Sequence, residues 1–394
     1  MTTHAYILSG ARTPIGNFLG SLSALSAVDL GARSIEAAVE RSGLDVNQFD
    51  EVIMGNVLAT GLGQAPARQS ALAAGMNPSI AAVTVNKVCG SGLKSVMMAA
   101  QAIRCGDANA VVAGGMESMS NVPHYARRLR TGQKLGDLSM VDTMIADGLT
   151  CGMESCHMGM HAEYTASKWD VTREQQDAFA AESQRLAAAA WEQGWFNDEI
   201  VKVTVKSRKG ESIVETDECV RGDTTADGLA KLRPAFDKTG SVTAGNASTL
   251  SDGAAAVVVT NEEIAKQSSA PVKARILAYH TSGGEPKDLF VAPVAAVQGA
   301  LKKANLSADE IDVFEINEAF ASQMLACLKQ LNLDPSKVNP QGGGISIGHP
   351  IGASGARCLV TLMHTLNRTG GRLGVVSLCL GGGNAVAMVI ERQS

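Results

Sequence analysis

One pattern of helix, polar bridge and strand occurs twice in the chain. In residues 38–44 an apolar-faced helix ends, a short polar bridge follows, and an apolar strand begins at Val52. Residues 300–306 form a similar helix end, and an apolar strand begins again at Val313. The order of elements on either side of each copy also matches, which indicates a duplicated domain. Two such copies are expected to pack together and to form a site where their equivalent ends meet.

Apolar strands alternate with amphipathic helices through both copies. Ser26 and Asp29 mark a helix start that continues to about Ser42, and residues 110–115 form an apolar strand that ends in glycines. The composition agrees with a folded α/β chain, because 45% of the residues are hydrophobic, 19% are charged and only 4% are aromatic. This alternation predicts a mostly parallel sheet with helices on both faces.

The alternation breaks between the two copies. From about residue 117 to residue 250 the chain holds short irregular segments, a loop rich in Met and Cys, and one strong helix that starts at Thr172. We therefore divide the chain into an N-terminal half (residues 1–120, completed by 250–270), an inserted α+β loop domain (residues 121–249) and a C-terminal half (residues 271–394).

Charge and hydropathy exclude several classes of protein. The net charge of −5 offers no basic surface for nucleic acid. No apolar run is long enough to span a bilayer, and residues 1–5 lack the basic and apolar regions of a secretory signal. Eight cysteines without a framework spacing are typical of reduced thiols. We therefore expect a cytoplasmic protein with neither a nucleic-acid nor a membrane partner.

Cys89 lies where a strand is expected to turn into a helix. The apolar run of residues 81–85 precedes it, and a helical pattern follows from Leu93 to Ile103. The free N–H groups and partial positive charge of a helix N-terminus favour a thiolate, and neighbouring glycines leave the side chain uncrowded. The position suggests a nucleophile. Most cysteines are packing residues, however, and this stretch alone leaves both interpretations open.

The second copy carries polar residues at the ends of three apolar segments. Residues 315–320 turn a strand into a helix, and His349 lies in a loop with six glycines within seven positions on either side. Cys379 is followed at once by three glycines, whose N–H groups suit a developing oxyanion. The alternatives are that His349 has a structural role and that the glycines after Cys379 only form a tight hairpin. Two cysteines and a histidine at strand ends instead suggest covalent thiol chemistry with proton transfer.

These segments together resemble the thiolases. The likeness rests on Val88-Cys89-Gly90-Ser91-Gly92, Asn317-Glu318-Ala319-Phe320, Gly348-His349-Pro350-Ile351-Gly352 and Cys379-Leu380-Gly381-Gly382-Gly383, with supporting motifs at residues 114–120, 231–236 and 243–248. The four motifs in this order are highly specific, and the likeness covers essentially the whole chain. It implies a thiolase-like fold of duplicated αβαβα layered domains with mixed five-stranded sheets, plus the inserted α+β loop domain.

The closest branch of that family is the biosynthetic one. It implies an acetyl-CoA C-acetyltransferase, which condenses two acetyl-CoA to acetoacetyl-CoA and free CoA and also runs the reverse thiolysis. By this resemblance Cys89 carries the acetyl group, His349 takes the thiol proton, and Cys379 removes an α-proton from the second acetyl-CoA. The N–H groups of Cys89 and Gly381 hold one oxyanion, while His349 and a water on Asn317 hold the enolate oxygen. Thioesters of CoA are then substrates, and we expect no cofactor and no metal.

The resemblance also implies a set of contacts with CoA. The residues carried over by matching motif are Leu149, His157, Met158, Arg221, Ser248, Ala319 and Phe320. In the biosynthetic branch the insert carries tetramer contacts, so we expect a homotetramer. The chain departs from the branch at residues 150–156, where aromatic residues are usual, and at Gly228, where a hydroxyl residue is common.

Other interpretations compete with this one. A degradative 3-ketoacyl-CoA thiolase would share the motifs but accept longer acyl chains. A ketoacyl synthase would show two active-site histidines, whereas this chain has Asn317 and one histidine at the matching motifs. A non-catalytic lipid carrier would lack Cys89 or Cys379, and both are present.

A zinc site is the remaining alternative. Its candidate ligands are Cys151, Cys156, His157 and His161. Their C-x4-C-H-x3-H spacing departs from the usual finger pattern, and no second C-x2-C pair exists. The sequence therefore favours no metal.

Overall fold

The structure is a computed structural model that describes residues 4–207 and 210–393. Residues 1–3, on which part of the secretory-signal expectation rests, lie outside the described residues. The strands of the main sheet are β1 (Ala5–Arg12), β2 (Glu51–Gly55), β3 (Ala81–Val85), β4 (Ala110–Ser118), β5 (Ser251–Asn261), β6 (Lys273–Gly283), β7 (Val313–Ile316), β8 (Leu373–Leu380) and β9 (Asn384–Gln393). The longer helices are α1 (Ala27–Ser42), α2 (Pro66–Ala73), α3 (Ser91–Cys105), α4 (Met158–Lys168), α5 (Arg173–Glu192), α6 (Ala292–Ala304), α7 (Ala321–Leu331) and α8 (Ser354–Thr369).

The strand order shows the duplication directly. The sheet runs β7-β8-β9-β6-β1-β5-β4-β2-β3, and the short strand Gly16–Asn17 pairs with the start of β5. If the five strands of the first half are numbered along the chain, they lie in the sheet in the order third, second, fourth, fifth, first. The second half repeats it, because an isolated parallel bridge between Phe314 and Val338 takes the place of the third strand. The halves join through the antiparallel pairing of β1 with β6.

The prediction of a mostly parallel sheet is wrong. Among the described residues, the parallel pairings are β2 with β3, β2 with β4, and β7 with β8. The other neighbouring strands pair antiparallel. The physical reason is that the last strand of each half returns beside the fourth and then pairs with the first, so only the helix-connected strands keep one direction. The mixed sheet that the resemblance implies is confirmed.

Helices α3 and α8 form the central layer of the fold. Apolar residues of both helices share one buried cluster with strand residues from both halves. Glycines allow the two helix N-termini to touch, because a Cβ on Gly355 would lie 2.3 Å from the Leu93 nitrogen. A Cβ on Gly92 would lie 2.8 Å from the Ala356 nitrogen. This close approach brings together the turn before α3, which carries Cys89, and the loop before α8, which carries His349.

Outer helices cover the remaining sheet faces. Helices α1 and α2 contribute to a second buried cluster on the first half, and α6 and α7 contribute to a third on the second half. Helix α1 begins where the sequence predicts, since Ser26 and Asp29 form a capping box and Gly43 ends the helix in the left-handed region. These layers complete the αβαβα arrangement.

The stretch between β4 and β5 contains α4, α5 and several two-stranded hairpins. Its attachment to β1 is a fully buried ion-pair network in which Arg12 donates to Glu199 at 2.5 Å and to Asp217 at 2.7 Å. Breaking such a network would leave a buried charge unpaired.

The domain bounds given above remain a prediction. No helix in the described part of the chain combines the length and apolarity that a membrane span requires.

Candidate active site

The turn that carries Cys89 is held in an unusual backbone conformation. Val88 has a φ of 46°, in the left-handed region that β-branched residues rarely adopt. Neighbouring side chains hold it there. Asn86 Oδ1 accepts from the Val88 N–H at 3.0 Å, while Ser91 Oγ accepts from the Lys87 N–H at 2.8 Å and donates to the Val88 carbonyl at 2.6 Å. Such conformations cluster at functional sites, where the surrounding bonds keep a side chain in place.

The Cys89 thiol carries its proton at neutral pH. Burial raises the pKa of this thiol to about 12, although the N–H groups of Cys89 and Gly381 both point at the sulfur and lower the pKa. The buried Glu117 carboxylate adds a smaller upward contribution to the pKa. These two backbone N–H groups favour a thiolate, but desolvation outweighs them. The thiol needs a nearby base to become a nucleophile.

His349 is held in the tautomer that leaves Nε2 free to accept a proton. Its Nδ1 lies 2.6 Å from Ser354 Oγ, and that hydroxyl donates its single proton to the Pro350 carbonyl at 2.9 Å. Nδ1 must therefore be the donor, and Nε2 keeps its lone pair. The Asn317 amide nitrogen lies 3.4 Å from Nε2. Burial, followed by the charge of Arg357, lowers the pKa of His349 to about 3, so the ring is neutral.

Cys379 is the next-to-last residue of strand β8 and is 2% exposed. Burial raises the pKa of its thiol well above the usual value, and the charges of Cys89 and Cys327 raise it further. The following turn uses residues without a Cβ, since Gly382 and Gly383 both have φ of 84°. The turn leaves the Gly381 N–H directed at the Cys89 sulfur. The two thiols are therefore electrostatically coupled neighbours.

A single, largely apolar cavity of about 480 Å³ brings the predicted residues together. Its walls include four of the five predicted catalytic residues and all seven predicted CoA contacts: Cys89, His349, Cys379, Gly381, Leu149, His157, Met158, Arg221, Ser248, Ala319 and Phe320. Asn317 is fully buried behind His349 rather than on the cavity wall. The roles given to these residues remain predictions.

An aromatic wall forms one side of the cavity. The ring of His157 stacks on Phe236 with centroids 4.8 Å apart, and Phe320 meets both Phe236 and Phe290 edge to face. His157 Nδ1 accepts from the Gly159 N–H at 3.0 Å, and this bond caps α4. Phe236 belongs to a motif that the sequence carries, but no sequence signal marks Phe290 as a cavity residue.

Arg221 lies on the exposed part of the cavity wall. Its backbone N–H donates to Gln184 Oε1 at 2.7 Å. Within residues 4–207 and 210–393, its guanidinium has no carboxylate partner within ion-pair distance. An exposed, unpaired guanidinium suits an anionic group such as a phosphate.

Glu117 is a buried carboxylate whose function the sequence does not reveal. It accepts backbone N–H bonds from Val57, Leu58 and Gly352, the last at 2.9 Å. Burial raises the pKa of Glu117 to about 7 despite these bonds. The carboxylate thus ties the loop after β2 to the loop that carries His349, across the two halves of the protein.

Comparison with known proteins agrees with this geometry. Residues 5–263 match the thiolase N-terminal domain, and residues 270–392 match the thiolase C-terminal domain. The chain is 50% identical over 388 residues to an acetyl-CoA acetyltransferase of Pseudomonas aeruginosa, covering 98% of this chain and 99% of the relative. It is 51% identical over 387 residues to an acetyl-CoA acetyltransferase of Escherichia coli, covering 98% of both chains.

A solved structure shows the same fold over the whole chain. The crystal structure of the Bacillus anthracis acetyl-CoA acetyltransferase superposes with a TM-score of 0.97 at 42% sequence identity, covering 100% of this chain and 99% of that one. The family and fold expected from the motifs are therefore confirmed. The chain belongs to the thiolase family of acyltransferases.

Proposed function

We propose that the protein is an acetyl-CoA C-acetyltransferase, which condenses two acetyl-CoA to acetoacetyl-CoA and CoA and catalyses the reverse thiolysis. The observation that carries this proposal is the convergence of two thiols and one neutral imidazole on the wall of one apolar cavity. One thiol can carry an acyl group while the other removes a proton. The names of the relatives support acetyl-CoA as the substrate.

Acylation of Cys89 begins the reaction. His349 Nε2 takes the thiol proton as the sulfur attacks the thioester carbonyl of the first acetyl-CoA. The Cys89 and Gly381 N–H groups, which already point at the sulfur, stabilise the oxyanion that forms beside it. The bond to the CoA sulfur breaks, and that sulfur takes the proton of Cys379. Free CoA leaves, and acetyl-Cys89, imidazolium His349 and thiolate Cys379 remain.

Acylation also prepares the second thiol. The imidazolium that acylation leaves on His349 favours an anion nearby, so it lowers the pKa of Cys379 before condensation. Removal of the α-proton by Cys379 therefore follows acylation of Cys89.

Condensation then joins the two acetyl groups. The Cys379 thiolate removes an α-proton from the second acetyl-CoA, and the resulting carbanion attacks the carbonyl of acetyl-Cys89. The His349 imidazolium and a water on Asn317 stabilise the enolate oxygen. Acetoacetyl-CoA forms, Cys89 leaves as a thiolate, and His349 returns the proton to it. We also propose that the reaction needs no cofactor, since the CoA thioesters are its substrates, and that the protein is a cytoplasmic homotetramer.

The length of the acyl chain separates this function from the degradative alternative. Leu149, Met158 and Phe320 line the cavity with bulky side chains. We expect kcat/KM for thiolysis to fall by roughly tenfold or more from acetoacetyl-CoA to the eight-carbon 3-ketoacyl-CoA, because extra methylenes must displace these side chains. The measurement is thiolysis at one CoA concentration with four-, six- and eight-carbon substrates. A kcat/KM that holds or rises with length would favour the degradative enzyme.

Ser354 is expected to act through the tautomer of His349. Replacing it with alanine removes the acceptor for Nδ1–H, and kcat/KM should fall by roughly tenfold to a hundredfold as with other partners that orient a functional imidazole. Nitrogen NMR of the histidine ring should show a mixed tautomer. Ser377→Ala is the matched control, since it loses a buried hydroxyl that donates to a backbone carbonyl at 2.9 Å. Equal losses of activity in both variants would contradict the proposed role.

A further inference from the structure

The hairpin of residues 150–157 contains a feature that the proposed reaction does not use. Thr150–Cys151 and Cys156–His157 form two short antiparallel strands in which Cys151 lies opposite Cys156. This stretch also departs from the aromatic residues usual in the biosynthetic branch. Three potential metal ligands converge beside the hairpin, because one ligand atom each from Glu154, Cys156 and His161 lies within 4.8 Å of the other two.

The ligand set differs from the one that the sequence suggests. His157 is used elsewhere, since its Nδ1 caps α4 and its ring stacks on Phe236. Cys151 is 2% exposed and is not one of the converging ligands. Glu154 takes the place of these two residues in the ligand set. The sequence spacing could not reveal this set, because the turn of the hairpin brings the glutamate back towards α4.

His161 provides the second observation that points to a ligand. It lies in the first turn of α4 and is only 2% exposed, and its Nε2 faces the Cys156 sulfur at 3.3 Å. Two ligands of a tetrahedral zinc ion, one sulfur at about 2.3 Å and one nitrogen at about 2.0 Å, lie about 3.5 Å apart. The sulfur and nitrogen atoms thus already have the separation that zinc requires. Glu154 is exposed, and its carboxylate lies within 4.8 Å of both of these atoms.

We propose that Glu154, Cys156 and His161 form a binding site for one Zn²⁺ ion, with a water as the fourth ligand. A thiolate, an imidazole and a carboxylate in tetrahedral arrangement suit zinc, whereas Mg²⁺ and Ca²⁺ prefer oxygen ligands alone. The exposure of Glu154 leaves the fourth position open to solvent. This site is separate from the reacting thiols and goes beyond the proposed acetyl transfer.

The position of the site links it to the substrate cavity. Leu149, which precedes the hairpin, and His157, which is its last residue, both line the cavity. A zinc ion would fix Cys156 to the start of α4 and thereby restrict the hairpin between these two residues. Zinc is therefore a structural clip for one wall of the cavity rather than a participant in acyl transfer.

The test is a titration with Zn²⁺ alone against a chromophoric chelator. Cys89 and Cys379 are replaced with serine in every protein of the series, because their thiols would also bind metal. We expect one zinc per chain in the parent and a loss of affinity of roughly tenfold or more in Cys156→Ser and in His161→Gln, since each removes one ligand. Cys151→Ser is the matched control, because it removes the opposite thiol and should bind zinc as the parent does.

A second measurement identifies the ligands independently of folding defects. Co²⁺ in place of zinc should give an intense thiolate charge-transfer band that Cys156→Ser loses and Cys151→Ser keeps. Far-ultraviolet circular dichroism checks that each variant is folded. The proposal fails if the folded parent binds no zinc, or if Cys151→Ser and Cys156→Ser lose the same affinity.

Discussion

Replacing Cys89 with alanine is expected to abolish the acetyl-enzyme and to reduce kcat by roughly a hundred-thousandfold or more, the scale of losing a covalent nucleophile. No second thiol can take its place. Cys379 is nearby, but it lacks the N–H groups of Cys89 and Gly381 that are directed at the Cys89 sulfur. The measurement is mass spectrometry of the intact protein after incubation with acetyl-CoA, together with the rate of thiolysis.

Cys105→Ser is the matched control for this prediction. Cys105 is an exposed cysteine at the C-terminal end of α3, the helix that follows Cys89, so its replacement tests whether a lost thiol alone affects activity. The control is expected to acetylate and to turn over at the parent rate. An acetyl group still attached to the Cys89→Ala protein would contradict the assignment of the nucleophile.

Replacing Cys379 with serine is expected to stop condensation while leaving acetylation of Cys89 partly intact, because the serine also replaces the thiol that protonates the leaving CoA. Serine is a far weaker acid than a thiol, so it cannot become the anion that removes the α-proton. We expect kcat for condensation to fall by roughly ten-thousandfold, at the upper end for loss of a general base. Exchange of the acetyl-CoA methyl protons with deuterated water reports this proton removal directly and should disappear, while the acetyl-enzyme still appears by mass spectrometry.

Cys327→Ala is the matched control for the second thiol. Cys327 is buried, and its thiol donates to the Phe290 carbonyl at 3.2 Å. Burial raises the pKa of Cys327 to about 12, so the thiol is uncharged near neutral pH, and its replacement should leave methyl-proton exchange and its pH dependence intact. Survival of both acetylation and exchange in Cys379→Ser would show that another group is the base.

The position of Cys89 and the pKa of its thiol differ in how far the sequence could predict them. Cys89 could be placed at a strand-to-helix turn from local patterns, and the structure has this turn between β3 and α3. Its thiolate character could not be predicted the same way. Helix dipole and N–H groups are local, whereas the burial that raises its pKa to about 12 comes from the packing of both halves.

Some features of the site have no local signal at all. The prediction of a mostly parallel sheet was wrong because the alternation of strands and helices indicates how successive strands are connected. It does not indicate where in the sheet a returning strand inserts. Phe290 lines the cavity from the C-terminal half, and Glu117 accepts from the Gly352 N–H across the interface between halves, so only tertiary packing identifies these contacts. The zinc ligands likewise follow from a hairpin turn rather than from residue spacing.

Residue types and short-range patterns were enough to predict the duplicated order of elements, the four motifs and the candidate reacting side chains. Tertiary structure decided how those side chains work together. Contact between α3 and α8 through Gly92 and Gly355 brings the two halves' loops into one cavity. Burial there keeps both thiols protonated and His349 neutral, and the Ser354 hydroxyl selects its tautomer. These are effects of desolvation and distance, which depend on how remote segments pack.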